Sequence, residues 1–115
     1  MQQGFINKKY NYLVVSQKYY NFNNLDANAN INFILIDKGI NTNIDNLPNS
    51  IYSLEINRTK CSIDYLPFSL RVLKIDNTNI TNFDNLPLNL KKLYIFKNKI
   101  DNINNLPENL EHLSI

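Results

Sequence analysis

Apolar residues recur along the chain in one short pattern, Leu70-x-x-Leu73-x-Ile75-x-x-Thr78-x-Ile80. The same spacing returns at Leu90, Leu93, Ile95, Asn98 and Ile100, and upstream at Ile51, Leu54, Ile56, Thr59 and Cys61. A further copy opens with Leu110, Leu113 and Ile115. Alternation at Leu73-Lys74-Ile75 puts two apolar side chains on one face of a short strand. A strand of this length cannot stand alone. Stacked one above the next, such strands form a parallel sheet over a continuous core, with stability drawn from nearest neighbours.

The prolines set the period. Pro48, Pro67, Pro87 and Pro107 each follow a leucine and lie 19, 20 and 20 residues apart. A coil this short leaves no room for a full helix on the return path. Leu-Pro followed by x-Asn or x-Ser suits an extended back, because proline fixes φ and removes a donor. A second block closes each unit: Asn43-Ile44-Asp45-Asn46-Leu47-Pro48, Asn82-Phe83-Asp84-Asn85-Leu86-Pro87 and Asn102-Ile103-Asn104-Asn105-Leu106-Pro107. Upstream it recurs without its proline as Asn21-Phe22-Asn23-Asn24-Leu25-Asp26. Earlier units are degenerate: Tyr12, Val14, Gln17 and Tyr19 take the slots of Leu73, Ile75, Thr78 and Ile80, and Ile31, Ile34, Ile36 and Gly39 take them next. The expected organisation is a lead-in over residues 1–8 and an array over 9–115, about five repeats plus the opening strand of a sixth.

The block L-x-x-L-x-L-x-x-N-x-L resembles a leucine-rich repeat, with Ile freely replacing Leu and Thr often replacing Asn. The short period and the Leu-Pro-x-x-Leu start resemble the repeats of bacterial effectors and the FNIP-type repeats abundant in amoebae and giant viruses. Enrichment in Asn, Ile, Lys and Tyr is what an AT-rich genome encodes, which fits the second group. The resemblance implies a leucine-rich repeat solenoid with short parallel β-strands on a concave face, a turn-rich convex side and little α-helix. It also implies that partners bind on the concave side. Thr59, Thr78 and Asn98 fall where a side-chain ladder must serve backbone groups left unpaired at the bend. Thr can serve only part of that role, so the ladder is expected to be weaker in the middle units.

Composition changes this picture in one respect. Of 115 residues 23 are Asn and only 2 are Gly, and 13 of the Asn fall at repeat positions. Asn tolerates left-handed backbone and bonds its own chain in turns, so the excess reads as turn chemistry repeated once per coil. A net charge of +2 is too weak to argue for nucleic acid. No stretch approaches the ~20 apolar residues of a membrane-spanning helix, and the first residues lack a secretory core. The expectation is a cytoplasmic protein, in the host cytoplasm if the source is viral.

Candidate chemistry is sparse. Cys61 is the only cysteine, which excludes an intrachain disulfide framework and a multi-cysteine zinc site. It lies near Arg58 and Lys60, as a nucleophilic thiol would, yet it occupies the apolar slot of Ile80 and Ile100 and reads as a core residue. His112, the only histidine, takes a solvent-facing slot. With no catalytic constellation, no metal-ligand spacing and no phosphate loop, neither enzyme activity nor a cofactor is expected.

Function is expected on the strand residues that alternate with the core. These are Asn11, Leu13 and Val15, then Phe33, Leu35 and Asp37, then Ser53, Glu55, Asn57 and Arg58. Val72, Lys74, Asp76 and Asn77 follow, then Lys91, Lys92, Tyr94, Phe96 and Lys97, and finally His112 and Ser114. Aromatics and long cations are enriched at interface hot spots, so Glu55, Arg58, Lys74, Lys92, Tyr94, Phe96 and Lys97 are the candidate partner-binding residues, centred on Tyr94 and Phe96. The leading expectation is a non-catalytic protein–protein interaction module. A truncated or fragmentary repeat array with a structural role or none, self-associating through an open C-terminal edge, is the alternative. Single-stranded nucleic acid on the Lys–aromatic patch is disfavoured by Asp37, Glu55 and Asp76 on the same face.

Overall fold

The structure is a computed structural model and describes residues 4–7, 11–16, 22, 25, 30–38 and 43–115. Among the described residues seven strands form one sheet in chain order: β1 (Gly4–Asn7), β2 (Tyr12–Val15), β3 (Phe33–Asp37), β4 (Ser53–Asn57), β5 (Val72–Asp76), β6 (Lys92–Phe96) and β7 (His112–Ser114). β1 pairs antiparallel with β2, and β2 to β7 pair in parallel, each with the next. None of the described residues lies in an α-helix. The chain is a parallel β-solenoid.

Register is uninterrupted from β3 to β6. Ile34, Leu54, Leu73 and Leu93 stack in one column and Ile36, Ile56, Ile75 and Ile95 in another. All eight are buried, at 2% exposure or less. Ile31, Ile51, Leu70 and Leu90 form a further fully buried tier, placed by turns in which Ile51 N, Leu70 N and Leu90 N each donate to the carbonyl of the proline three residues back. Burying one such side chain contributes roughly 1.5–3 kcal/mol, so the sum over coils holds a fold whose individual strands are too short to persist.

The strands from β3 to β7 begin on the same device. Asn11 O accepts from Asn32 N and Phe33 N, Asn32 O from Tyr52 N and Ser53 N, and Tyr52 O from Arg71 N and Val72 N. Arg71 O and Lys91 O repeat it for the next two coils. One carbonyl per coil thus fixes two amides of the coil above, which sets the register before the strand proper starts.

The N-terminal phase differs from the expectation. Leu13 and Val15 pair with Ile34 and Ile36 and are buried, whereas Tyr12 and Val14 pair with Phe33 and Leu35 and stay part-exposed. A one-residue slip in register exchanges the two faces of a strand completely. Tyr12-Leu13-Val14-Val15 is apolar at all four positions, so alternation carried no phase there. Leu13 and Val15 therefore leave the exposed face, and Tyr12 and Val14 join it. The lead-in segment contains β1. Gln17, Tyr19, Asn21 and Gly39 lie outside the described residues.

Turn chemistry also sorts differently. Left-handed backbone (φ 48–62°) occurs at Lys38, Arg58, Asn77 and Lys97, the residue following each of β3 to β6, and at Asn11 and Asn30. Three of the four post-strand positions are thus long cations. The repeat-slot asparagines make side-chain turns instead: Asn43, Asn82 and Asn102 Oδ1 accept from the amides of Asp45, Asp84 and Asn104 at 2.9, 3.3 and 3.2 Å. Asn85 and Asn105 Nδ2 donate one coil back to Asp64 and Asp84 at 3.1 and 2.9 Å.

The bend after the strand carries the side-chain ladder. Thr59 is buried and its Oγ1 donates to Asn57 O at 2.8 Å. Asn98 Oδ1 accepts from Thr78 N and Oγ1, while its Nδ2 donates to Phe96 O and, at 3.4 Å, to Ile75 O. Asn79, from a neighbouring slot, supplies the acceptor for Cys61 N.

Candidate functional site

The exposed side of the sheet carries the first, third and fifth residue of each strand from β3 to β6. Parallel pairing sets Glu55 beside Lys74 and Lys74 beside Tyr94, then Tyr94 beside Ser114. Along the next column Asp37, Asn57, Asp76 and Phe96 stand in register. Of the leucines and isoleucines in β3 to β6, only Leu35 stands on this face, beside Glu55; the others face the core.

Three of the candidate residues are joined into one chain of contacts. Glu55 Oε1 lies 3.7 Å from Lys74 Nζ, and Lys74 Nζ sits 5.7 Å from the Phe96 ring centroid. Asn57 Nδ2 donates to Glu55 Oε2 at 2.9 Å, which orients the carboxylate from its own strand. The ammonium of Lys74 thus spans a carboxylate and an aromatic face, a cation–π distance within the ~6 Å limit. Tyr94 packs on His112 with ring centroids 5.0 Å apart, and Phe96 is 38% exposed. Tyr12 and Phe33 meet edge to face at the other end, 6.4 Å between centroids.

Arg58 and Lys97 are placed elsewhere than alternation implies. Both sit in the left-handed position after a strand, at the rim of the face. Arg58 Nε and Nη2 donate to Asp37 Oδ1 and Oδ2 at 3.0 and 2.7 Å, a two-pronged pair across adjacent coils. That hydrogen bond and the Asp37 charge raise the guanidinium pKa above its ordinary value, with a smaller push from Asp76. Lys97 stands in the same relation to Asp76, 21 residues back, as Arg58 does to Asp37, but no ion pair closes there. The two cations, with Asp37, Asn57, Asp76 and Asn77, line an open cleft of about 320 Å³. Inside it Asn57 Oδ1 and Asp76 Oδ1 are buried without a hydrogen-bond partner.

Lys92 is exposed at the start of β6, and among the described residues neither it nor Lys97 has a carboxylate within ion-pair distance. The seven candidates therefore divide into a linked group (Glu55, Lys74, Phe96), a rim pair (Arg58, Lys97) and two further members of β6 (Lys92, Tyr94).

Cys61 lies in the core at 8% exposure. Burial, reinforced by the charge of Asp45, pushes its thiol up to about 12 from an ordinary 9.0. The thiol is therefore held protonated, as its apolar slot implies. Among the described residues no group of three or more His, Cys, Asp or Glu side chains could hold a metal ion, and no helix is long and apolar enough to cross a membrane.

Alternation alone missed four large side chains. Tyr52, Tyr65, Phe68 and Leu88 are 57–69% exposed and lie outside the sheet face. The signal was available: Phe68 and Leu88 follow the repeat proline, where Asn49 and Glu108 stand in the flanking coils. Comparison of the chain with protein-family models, with curated proteins and with solved structures finds no match.

Proposed function

We propose that the chain is a leucine-rich-repeat module that binds a protein partner, without catalysis, through the concave face of its sheet. Glu55, Arg58, Lys74, Lys92, Tyr94, Phe96 and Lys97 are the proposed contact residues. The observation that carries this reading is the aromatic–cation surface across β5 to β7. Phe96 and Tyr94 are held by Lys74 and His112, while Lys92 and Lys97 remain uncommitted beside them. Aromatic rings that are already oriented lose little side-chain freedom on binding, and such residues dominate interface energetics. The repeat identity rests on the period, the Leu-Pro-x-x-Leu start and the asparagine at the bend. Cell extract passed over immobilised wild-type protein and over Y94A/F96A tests the reading. A partner recovered by both in equal amount would end it, provided the two proteins unfold at the same denaturant concentration.

Self-association is a second reading with its own observation. Leu113 continues the column of Leu73 and Leu93 yet is 37% exposed, and Ile115 is 71% exposed. Sedimentation velocity on the 115-residue chain reads this directly: a single monomer boundary at high concentration would exclude it. Nucleic acid is the weakest reading, since Asp37 and Glu55 already engage two of the cations. Salt-sensitive binding of a single-stranded oligonucleotide would revive it.

A further inference from the structure

A second surface lies at the corner where the chain turns from the repeat proline toward the strand. Phe68 and Leu88 each stand one residue after that proline and four before a strand, so they occupy equivalent positions on adjacent coils. They are 62% and 65% exposed. The fold does not require apolar side chains there, because the flanking coils fill the same position with Asn49 and Glu108 and make the same turn, closed by Ile51 N and Leu110 N. Tyr65 follows the same logic: its slot holds Asn46, Asn85 and Asn105 in the other coils. Three polar slots have been given to large apolar groups in two neighbouring coils, and the core gains nothing from it.

Cations border this patch on the strand side. Tyr52, Arg71, Lys91 and Glu111 stack on consecutive coils, linked by Arg71 N to Tyr52 O at 2.9 Å and by Lys91 N to Arg71 O and Glu111 N to Lys91 O at 2.8 Å, and the two cations are the members on the coils of Phe68 and Leu88. Arg71 Nη1 donates to Phe68 O and Leu70 O at 3.0 and 3.2 Å, so the guanidinium is anchored beside Phe68 on neutral carbonyls. Among the described residues neither Arg71 nor Lys91 has a carboxylate within ion-pair distance. An apolar strip with an anchored, unneutralised cation along one side is complementary to a segment that offers apolar anchors next to carboxylates.

We propose that the corner formed by Phe68, Leu88, Arg71 and Lys91 is a docking site for an acidic protein segment that packs apolar side chains against the strip of Phe68 and Leu88. The site is independent of the sheet face, so the chain presents two binding surfaces, one on each side of the strand starts.

The test is a displayed library of random dodecapeptides, selected on the wild-type protein and counter-selected on F68N/L88N. Asn is native to the same slot at position 49, so the variant keeps the fold, and its thermal unfolding checks that. Enriched peptides should combine Asp or Glu with Leu, Ile or Phe. Their affinity should fall by about tenfold or more in F68N/L88N and in R71E/K91E, and should be unchanged in Y94A/F96A. Basic or uncharged enriched peptides, equal affinity for F68N/L88N, or no enrichment over the counter-selection would overturn the proposal. Phosphatidylcholine–phosphatidylserine vesicles supply the remaining arm: sedimentation of the protein with them that depends on Phe68 and Leu88, with no peptide enriched, would assign the corner to a lipid surface instead.

Discussion

Asn98 Oδ1 accepts two hydrogen bonds from Thr78, one from the amide at 2.9 Å and one from the hydroxyl at 2.6 Å, and so ties the bend of one coil to the next. Through Nδ2 the same side chain also serves Phe96 O in its own coil. Asn98→Ala removes all of these and strands the Thr78 amide in a part-buried turn. Unsatisfied groups of this kind cost about 1–3 kcal/mol each, so chemical denaturation should show a loss of about 2 kcal/mol. Thr78→Val keeps the amide bond but removes the hydroxyl that donates to Asn98 and accepts from Ile80 N at 3.2 Å, so it should cost about 1–2 kcal/mol, still less than Asn98→Ala.

Position in the stack, rather than residue type, sets the worth of a core leucine. Leu73 and Leu113 hold the same slot, but Leu73 is fully buried between coils and Leu113 is 37% exposed. Leu73→Ala should cost about 2–5 kcal/mol, the range of cavity-forming core truncations. At Leu113 the same change should cost about 1 kcal/mol or less, since solvent fills the space. Equal costs in urea unfolding would contradict the nearest-neighbour account.

Lys97 holds left-handed backbone at φ 51° with no ion pair in return. A β-carbon there costs roughly 1–2 kcal/mol, part of which glycine gives back through its greater freedom when unfolded. Lys97→Gly should therefore raise stability by about 0.5–1 kcal/mol in thermal unfolding, whereas Lys97→Ala should not. If the lysine contacts a partner, the glycine variant will be more stable and bind less.

The buried thiol makes stability fall in alkali. Cys61 ionises near 9.0 when exposed and near 12 in the fold, so between those values the unfolded chain has lost the proton and the folded chain keeps it. Folding free energy should decline by up to ~1.4 kcal/mol per pH unit across that window. The comparison with Cys61→Val, which titrates every other group alike, isolates this loss; parallel curves for the two proteins would refute it.

Most of the solenoid was legible because four prolines and the leucine columns repeat in phase, and repetition reports register that a lone strand cannot. Legibility failed where a segment lost contrast. At Tyr12–Val15 every residue is apolar, and only pairing with Ile34 and Ile36 decides that Leu13 and Val15 face inward. It failed again after the strands, where Lys38, Arg58 and Lys97 take a conformation that residue type assigns to Gly or Asn. The candidate surface was half legible for the same reason. Strand alternation placed Lys74, Tyr94 and Phe96 on the exposed face, but nothing in the sequence marks that Arg58 reaches back 21 residues to Asp37.

The unbroken register from β3 to β6 makes the exposed sheet a grid. Rows lie about 4.8 Å apart from coil to coil, and cells along a row about 6.6 Å apart. In the middle column, Glu55, Lys74 and Tyr94 each stand between two chain neighbours that point into the core, so such a cell can be rewritten without touching a leucine column. The core and the exposed face therefore draw on separate letters of the same repeat. A library that varies Glu55, Lys74 and Tyr94 together would explore new specificities on an unchanged backbone.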